Sequence, residues 1–286
     1  MAVSSIRLFD AHCHLQDARF GAGELDDILS RSRAAGVSRM AVNGCCVEDW
    51  PLVHAIAAAH GEMVVANYGL HPWWVGRQPD HWLDLLRQRL LANPGAGLGE
   101  CGLDRSRRAP PCPFEEQVSV FKAQLLLAQE LQRPLSVHCV RAVGHLREAL
   151  AEVRPTAPVL LHSWCGAAED VRAIASAHPS AFFSVSGGIS ALPPAKAIRT
   201  LRAIPADRLL LETDAPDGGL RLGPAWLEAL PGFARSAPPC PERQEPAGLR
   251  RMLALVAAAR GEGEVGLAAL TWRNACAVFA GLPAAR

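Results

Sequence analysis

Eight short apolar runs punctuate the chain, and nothing else in it restricts the fold as strongly. They cover residues 6–10, 37–43, 63–69, 97–102, 134–138, 159–162, 181–186 and 208–214. Most are nearly continuous in hydrophobicity, the pattern of strands covered on both faces. Helix-like stretches separate them. Residues 24–35 carry Leu25, Ile28 and Leu29 at helical spacing and stop at Gly36, and residues 48–60 stop likewise at Gly61. Residues 80–92, 113–131, 143–153, 168–178 and 194–202 complete the set. Strands alternating with helices imply right-handed βαβ units and a parallel sheet. Eight such units predict an α/β fold of the (β/α)8 or TIM-barrel type, as a single domain over residues 1–286. An open doubly wound sheet is the competing arrangement, weakened because no glycine-rich phosphate loop follows the first run. After the eighth run the rhythm lapses. Residues 217–245 hold Pro224, Pro231, Pro238, Pro239 and Pro241, and read as a long ordered loop with one short helix near 225–230. Helices are expected again at 246–260 and 265–279.

In a barrel of this type reactive residues sit at the C-terminal ends of the strands. There the chain concentrates histidines and carboxylates. The first run leads into Asp10-Ala11-His12-Cys13-His14. Alternate side chains of an extended segment share a face, so Asp10, His12 and His14 point one way and Cys13 the other. Two neutral imidazoles side by side form a chelate for a divalent cation, and Asp10 is placed to accept the other ring N–H of a histidine and so fix its tautomer. The third run ends in Gly69-Leu70-His71-Pro72 and the fourth in Gly99-Glu100-Cys101-Gly102-Leu103-Asp104. The fifth ends in His138, the sixth in His162 and the eighth in Glu212-Thr213-Asp214-Ala215-Pro216. Any one of these side chains fits a hydrogen-bonded core. His12, His14, Glu100, His138, His162 and Asp214, at corresponding positions on five strands, point instead to a binuclear metal site. Mixed imidazole and carboxylate ligands suit Zn²⁺ or Mn²⁺, and Mg²⁺ where carboxylate and water dominate.

Composition limits the partners. The formal charge is +1, so no global field drives the chain to nucleic acid and any phosphate recognition must be local. Nine scattered cysteines without a C-x-x-C pair argue for reduced thiols and a cytoplasmic setting, or a nuclear one in a eukaryotic cell. No apolar run approaches the ~20 residues of a membrane span. A monomer is expected, because no coiled-coil pattern is evident.

Taken together, the strand-end motifs above, with Gln244-Glu245-Pro246 and Asn274 ahead of Phe279, resemble the TatD family of metal-dependent deoxyribonucleases within the amidohydrolase superfamily. The resemblance spans nearly the whole chain. It implies that His12, His14, Glu100 and Asp214 bind one metal, and that Glu100 bridges to a second held by His138 and His162. Many superfamily relatives use a carboxylated lysine as the bridge. The two lysines here, Lys122 and Lys196, fall in predicted helices, which leaves Glu100 as the available anion. Two ions ~3.5–4 Å apart clamp a phosphodiester and lower the pKa of a bound water. The implied activity is therefore deoxyribonuclease, of the 3′-to-5′ exonuclease type, with DNA as substrate. Hydrolysis of small esters, lactones or amides at the same site is the alternative, since fold and metals do not determine substrate. A non-catalytic scaffold has no use for six converging ligands.

Asp214 is the first candidate for general base and His71 the next catalytic candidate, as a phosphate or leaving-group contact; a loop histidine bonded to backbone is its plainer reading. Asp104 either orients a ligand or contacts substrate, and Glu212 reads as a structural partner. Arg105, Arg107, Arg108 and Arg141 either hold flanking phosphates or are simply solvated. Trp73 and Trp74 either stack a terminal base or pack the rim. Family members usually carry an arginine two residues after the strand-five histidine, an aromatic after Gly-Leu-Asp, and Arg-Asn-Glu-Pro. This chain has Val140, Arg105 and Arg243-Gln244-Glu245-Pro246 at those places. The departures fall on substrate-facing loops and leave the metal ligands intact.

Overall fold

A computed structural model describes residues 6–279 apart from 22, 110 and 237–242. Pro238, Pro239 and Pro241 of the expected loop lie outside the described residues. The elements are β1 (Leu8–Cys13), α1 (Leu25–Ala34), β2 (Val37–Asn43), α2 (Trp50–Ala59), β3 (Val64–Tyr68), α3 (Trp82–Ala92), β4 (Gly97–Asp104), α4 (Phe114–Leu131), β5 (Leu135–Val140) and α5 (Val143–Val153). They continue as β6 (Val159–Leu161), α6 (Ala168–Ala177), β7 (Ala181–Val185), α7 (Pro194–Ala203), β8 (Leu209–Leu211), α8 (Pro224–Ala229), α9 (Pro231–Ser236), α10 (Leu249–Arg260) and α11 (Glu264–Phe279). The strands pair in chain order from β1 to β8 in one sheet, the (β/α)8 topology expected from the eight runs. Among the described residues no helix is long and apolar enough to cross a membrane.

By their packing the residues fall into two units. One holds residues up to Met40 with Ser163–Ala173 and Phe183–Ala277; the other holds Ala41–His162, Ile174–Phe182 and residues from Val278 on.

In the second unit β3, β4, β5 and β6 run parallel, with Tyr68 opposite Leu98, Gly102 opposite His138, and Val137 opposite Leu161. All eight residues of β4 are buried, as a strand covered on both faces requires. The ladder between β4 and β5 slips between Leu98 and Cys101. Gly102 follows the slip at φ +138, and a Cβ there would lie 2.0 Å from the His138 carbonyl oxygen, so only glycine fits. Helix α4 lays Phe121, Leu125, Leu127 and Ala128 against the strands. Each large apolar side chain buried in this way contributes ~1.5–3 kcal/mol.

In the first unit β7 pairs with β8, Val185 opposite Leu211. The chain leaving β8 bonds to the end of β1: Asp214 N donates to His12 O at 2.9 Å, and His14 N to Ala215 O at 2.8 Å. Strand β1 begins at Leu8 rather than at residue 6 and runs to Cys13, which places His12 inside the strand and His14 one step beyond. Its first ladder bond, Leu8 N to Gly36 O, explains the shift. The expected single helix after β8 is two helices, α8 and α9, each opening with a proline at its first position. Trp226 and Phe233 bury their rings and anchor them. Short 3-10 turns at Pro72–Trp74, Gly187–Ala191 and Ala206–Arg208 are too short to show a 3.6-residue period, and one at Pro246–Gly248 takes the start of the expected 246–260 helix, so that α10 begins at Leu249.

Candidate metal centre

The second unit brings together His71, Glu100, His138 and His162. Glu100 sits inside β4 and is buried. Its Oε1 lies 2.8 Å from His162 Nε2, 3.0 Å from His138 Nδ1 and 3.3 Å from His71 Nε2. Three imidazoles thus face one carboxylate oxygen. His71, Glu100 and His138 each offer a donor atom within 4.8 Å of the others. This donor set, imidazole nitrogen around a buried carboxylate, fits a divalent cation.

The tautomers follow from the outer contacts. Asp104 Oδ2 lies 3.3 Å from His138 Nε2, so that nitrogen carries the proton and Nδ1 turns a lone pair toward Glu100. Burial disfavours charge on His138, but Asp104 and Glu100 outweigh it and raise its pKa. Carboxylates that favour a proton on this ring favour a cation on Nδ1 in the same way. Burial also works against the charge on Asp104, yet the contacts from His138 and Ser106 hold its carboxyl well below the usual carboxylate range. His71 is arranged the other way round. Its Nδ1 accepts from Trp73 N at 3.1 Å, so Nε2 is protonated and donates inward. Burial, the largest influence, keeps this imidazole below its ordinary pKa and therefore neutral.

The first unit brings together His12, His14 and Asp214. The two Nε2 atoms stand 3.1 Å apart, and His14 Nε2 is 3.6 Å from Asp214 Oδ1. Two imidazole nitrogens and a carboxylate oxygen at this spacing are again a chelate. Asp10 lies beneath them. Its Oδ1 accepts from Thr213 N at 2.9 Å and His12 N at 3.3 Å, and its Oδ2 from the Thr213 hydroxyl at 2.5 Å. Burial pushes this carboxyl up to about 8, against the bonds from Thr213 and His12. Glu212 is buried: Oε1 accepts from Ser163 N at 2.6 Å and Oε2 from the Ser184 hydroxyl. Cys13 faces the core. Asp214 adopts a left-handed backbone at φ +51, as do Ser163 after β6 and Arg141 after β5. Non-glycine residues take this conformation at a cost, and they gather at functional sites.

Sequence reasoning missed two glutamines of α4. Gln124 is fully buried; its Oε1 accepts from Leu70 N at 2.8 Å and its Nε2 donates to Leu70 O at 3.0 Å. Gln117 Oε1 accepts from Asp104 N at 2.9 Å. They stand two turns apart on one face of the helix, and they hold the two chain exits that carry His71 and Asp104. The signal was present as two polar residues on an otherwise apolar face. Both lysines lie on helices, Lys122 on α4 and Lys196 on α7, and Lys122 pairs with Glu152.

Imidazoles and carboxylates gathered at the strand exits of a (β/α)8 chain mark the class of metal-dependent hydrolases. The comparisons then fix the family: the model of TatD-related DNases matches residues 9–280, and the chain belongs to that family. The 3′-5′ ssDNA/RNA exonuclease TatD of Erwinia tasmaniensis is 33% identical over 278 residues, covering 95% of this chain and 99% of that protein. Its counterpart in Erwinia amylovora is 34% identical over 279 residues, with the same coverage. A solved TatD homologue from Escherichia coli K12 superposes with a TM-score of 0.83 at 26% identity, over 97% of this chain and 99% of that one.

Proposed function

We propose that the chain is a metal-dependent nuclease that hydrolyses phosphodiester bonds of single-stranded DNA from the 3′ end. The observation that carries this reading is the convergence of three imidazole nitrogens on Oε1 of Glu100. The relatives named as 3′-5′ ssDNA/RNA exonucleases support the substrate and the polarity. We assign two divalent cations, Zn²⁺, Mn²⁺ or Mg²⁺, to six ligands: His12, His14, Glu100 and Asp214 for one, and Glu100, His138 and His162 for the other. Bound there, such ions supply a nucleophilic water at neutral pH and a counter-charge for the phosphate.

The remaining work falls to side chains. Asp214 takes the proton of the attacking water. Glu100 presents Oε1 to the three imidazoles. Asp104 holds the His138 proton on Nε2 and so keeps Nδ1 open as a ligand. His71, neutral and protonated on Nε2, donates to a phosphate oxygen or to the leaving oxygen. We place the activity in one domain spanning residues 1–286, in a cytoplasmic monomer.

The test is cleavage of 3′-labelled and 5′-labelled single-stranded DNA by chelator-stripped protein, with Mg²⁺, Mn²⁺ or Zn²⁺ added back and Asp214→Asn alongside. Cleavage that returns with metal and is absent in the variant supports the reading, and the label pattern reports polarity. Two bound ions without cleavage would overturn it in favour of a small ester or amide substrate.

A further inference from the structure

Trp73, like its chain neighbour Trp74 at 38% exposure, is built unlike the tryptophans of the core. Trp50, Trp164 and Trp226 are 2%, 3% and 4% exposed, whereas Trp73 is 37% exposed. An exposed indole is normally free to turn. This one is pinned: its Nε1 donates to Asp104 Oδ2 at 2.6 Å, and its ring meets His71 edge-on, centroids 5.4 Å apart at 84°. The same Asp104 oxygen contacts His138. A flat apolar face is therefore held open at a fixed angle, one carboxylate away from the metal centre.

Positive charge stands beside it. Asp104 pairs with Val140 across β4 and β5, and Arg105 N donates to Val140 O at 3.0 Å. Arg105 and Arg141 therefore leave on adjacent chains, ~5 Å apart at the backbone. Arg105 is braced, its guanidinium 4.7 Å above the Phe114 ring. Arg141 holds its left-handed turn at φ +55. Among the described residues neither has an ion pair, whereas Arg19, Arg31 and Arg87 are each matched with a carboxylate. Two guanidiniums on adjacent chains, without ion-pair partners, offer a phosphate bidentate bonds.

We propose that Trp73, Arg105 and Arg141 form a nucleotide subsite, in which the 3′-terminal base of a single strand stacks on Trp73 and a phosphate of the same strand lies against the two arginines. The proposal rests on the nuclease reading and gives it a substrate-binding surface. A pre-oriented ring loses little entropy on stacking and accepts any base, since every base has a π face. The chain's small net charge fits such a local phosphate contact.

Fluorescence anisotropy of 5′-fluorescein decathymidylate, with full-length protein in chelator, reads the subsite without catalysis. Trp73→Ala should weaken binding by roughly 5- to 150-fold, the worth of one base–aromatic stack. Trp73→Phe, which keeps a ring but loses the bond to Asp104, should fall between the two. A decathymidylate with an abasic 3′ residue should bind wild-type protein and Trp73→Ala alike. Arg105→Gln and Arg141→Asn, the latter tolerant of the left-handed backbone, should each lower the slope of log affinity against log salt by up to ~0.7. Binding by wild-type protein that is indifferent to Trp73→Ala, or an unchanged salt slope in both arginine variants, overturns the subsite and leaves the nuclease reading standing. No binding and no metal-restored cleavage by wild-type protein overturns both. Unchanged circular dichroism excludes misfolding as the cause of any loss.

Discussion

The two clusters of candidate ligands are secured by different means. Around His12, His14 and Asp214 the backbone carries the load: β1 and the exit of β8 exchange main-chain bonds, and Asp10 joins them through Thr213. Around Glu100, His71 and His138 the load passes to side chains sent in from helix α4, with Gln124 clamping Leu70 and Gln117 holding Asp104. A cluster tied by its own backbone appears as a compact motif, Asp-Ala-His-Cys-His. A cluster propped from a helix depends on single polar side chains 13 and 54 positions away, and no local motif announces them.

The comparison can be broken at several points. The largest effect is expected from Glu100→Ala, which removes the carboxylate that three imidazoles face. Activity with any added metal should fall at least ~10³-fold, the scale of several kcal/mol of transition-state stabilisation, in a protein whose circular dichroism is unchanged. Next is Gln124→Leu. It strands the N–H and C=O of Leu70 in an apolar setting and should cost about 2–4 kcal/mol in urea unfolding, with a loss of kcat from the displaced His71. Asp104→Asn keeps the shape and removes the charge behind His138; metal affinity by competition titration should fall ~10- to 100-fold. Thr213→Val is the mildest, about 1–2 kcal/mol in the same unfolding assay, because the main-chain bonds between β1 and the β8 exit survive it. If Thr213→Val costs as much as Gln124→Leu, the two clusters are held alike and the contrast fails.

The same contrast explains what was legible beforehand. The eight strands were readable because burial on both faces demands unbroken apolar runs, and the turn at Gly36 because a helix end favours glycine. The six proposed ligands were readable because strand exits concentrate polar residues that a core would exclude. Gln117 and Gln124 were not, because a polar side chain on a helix face is ordinarily solvated and only the tertiary structure shows what it holds. Helix α9 was obscured by prolines, which mark both loops and helix starts. The contact between Trp73 and Asp104 joins residues 31 apart and leaves no periodic trace.

His71 divides its ring between two tasks. Nδ1 caps the 3-10 turn that presents Trp73, while Nε2 reaches the buried carboxylate. The carbonyl of asparagine overlays the first nitrogen, and the longer side chain of glutamine reaches toward the second. Position 71 is thus a hinge pin shared by a scaffold and a reaction, and each task has its own minimal substitute. A chain that drifted to asparagine there would keep its architecture and surrender one proton donor, so in such a lineage chemistry could be lost or exchanged without the barrel having to be rebuilt.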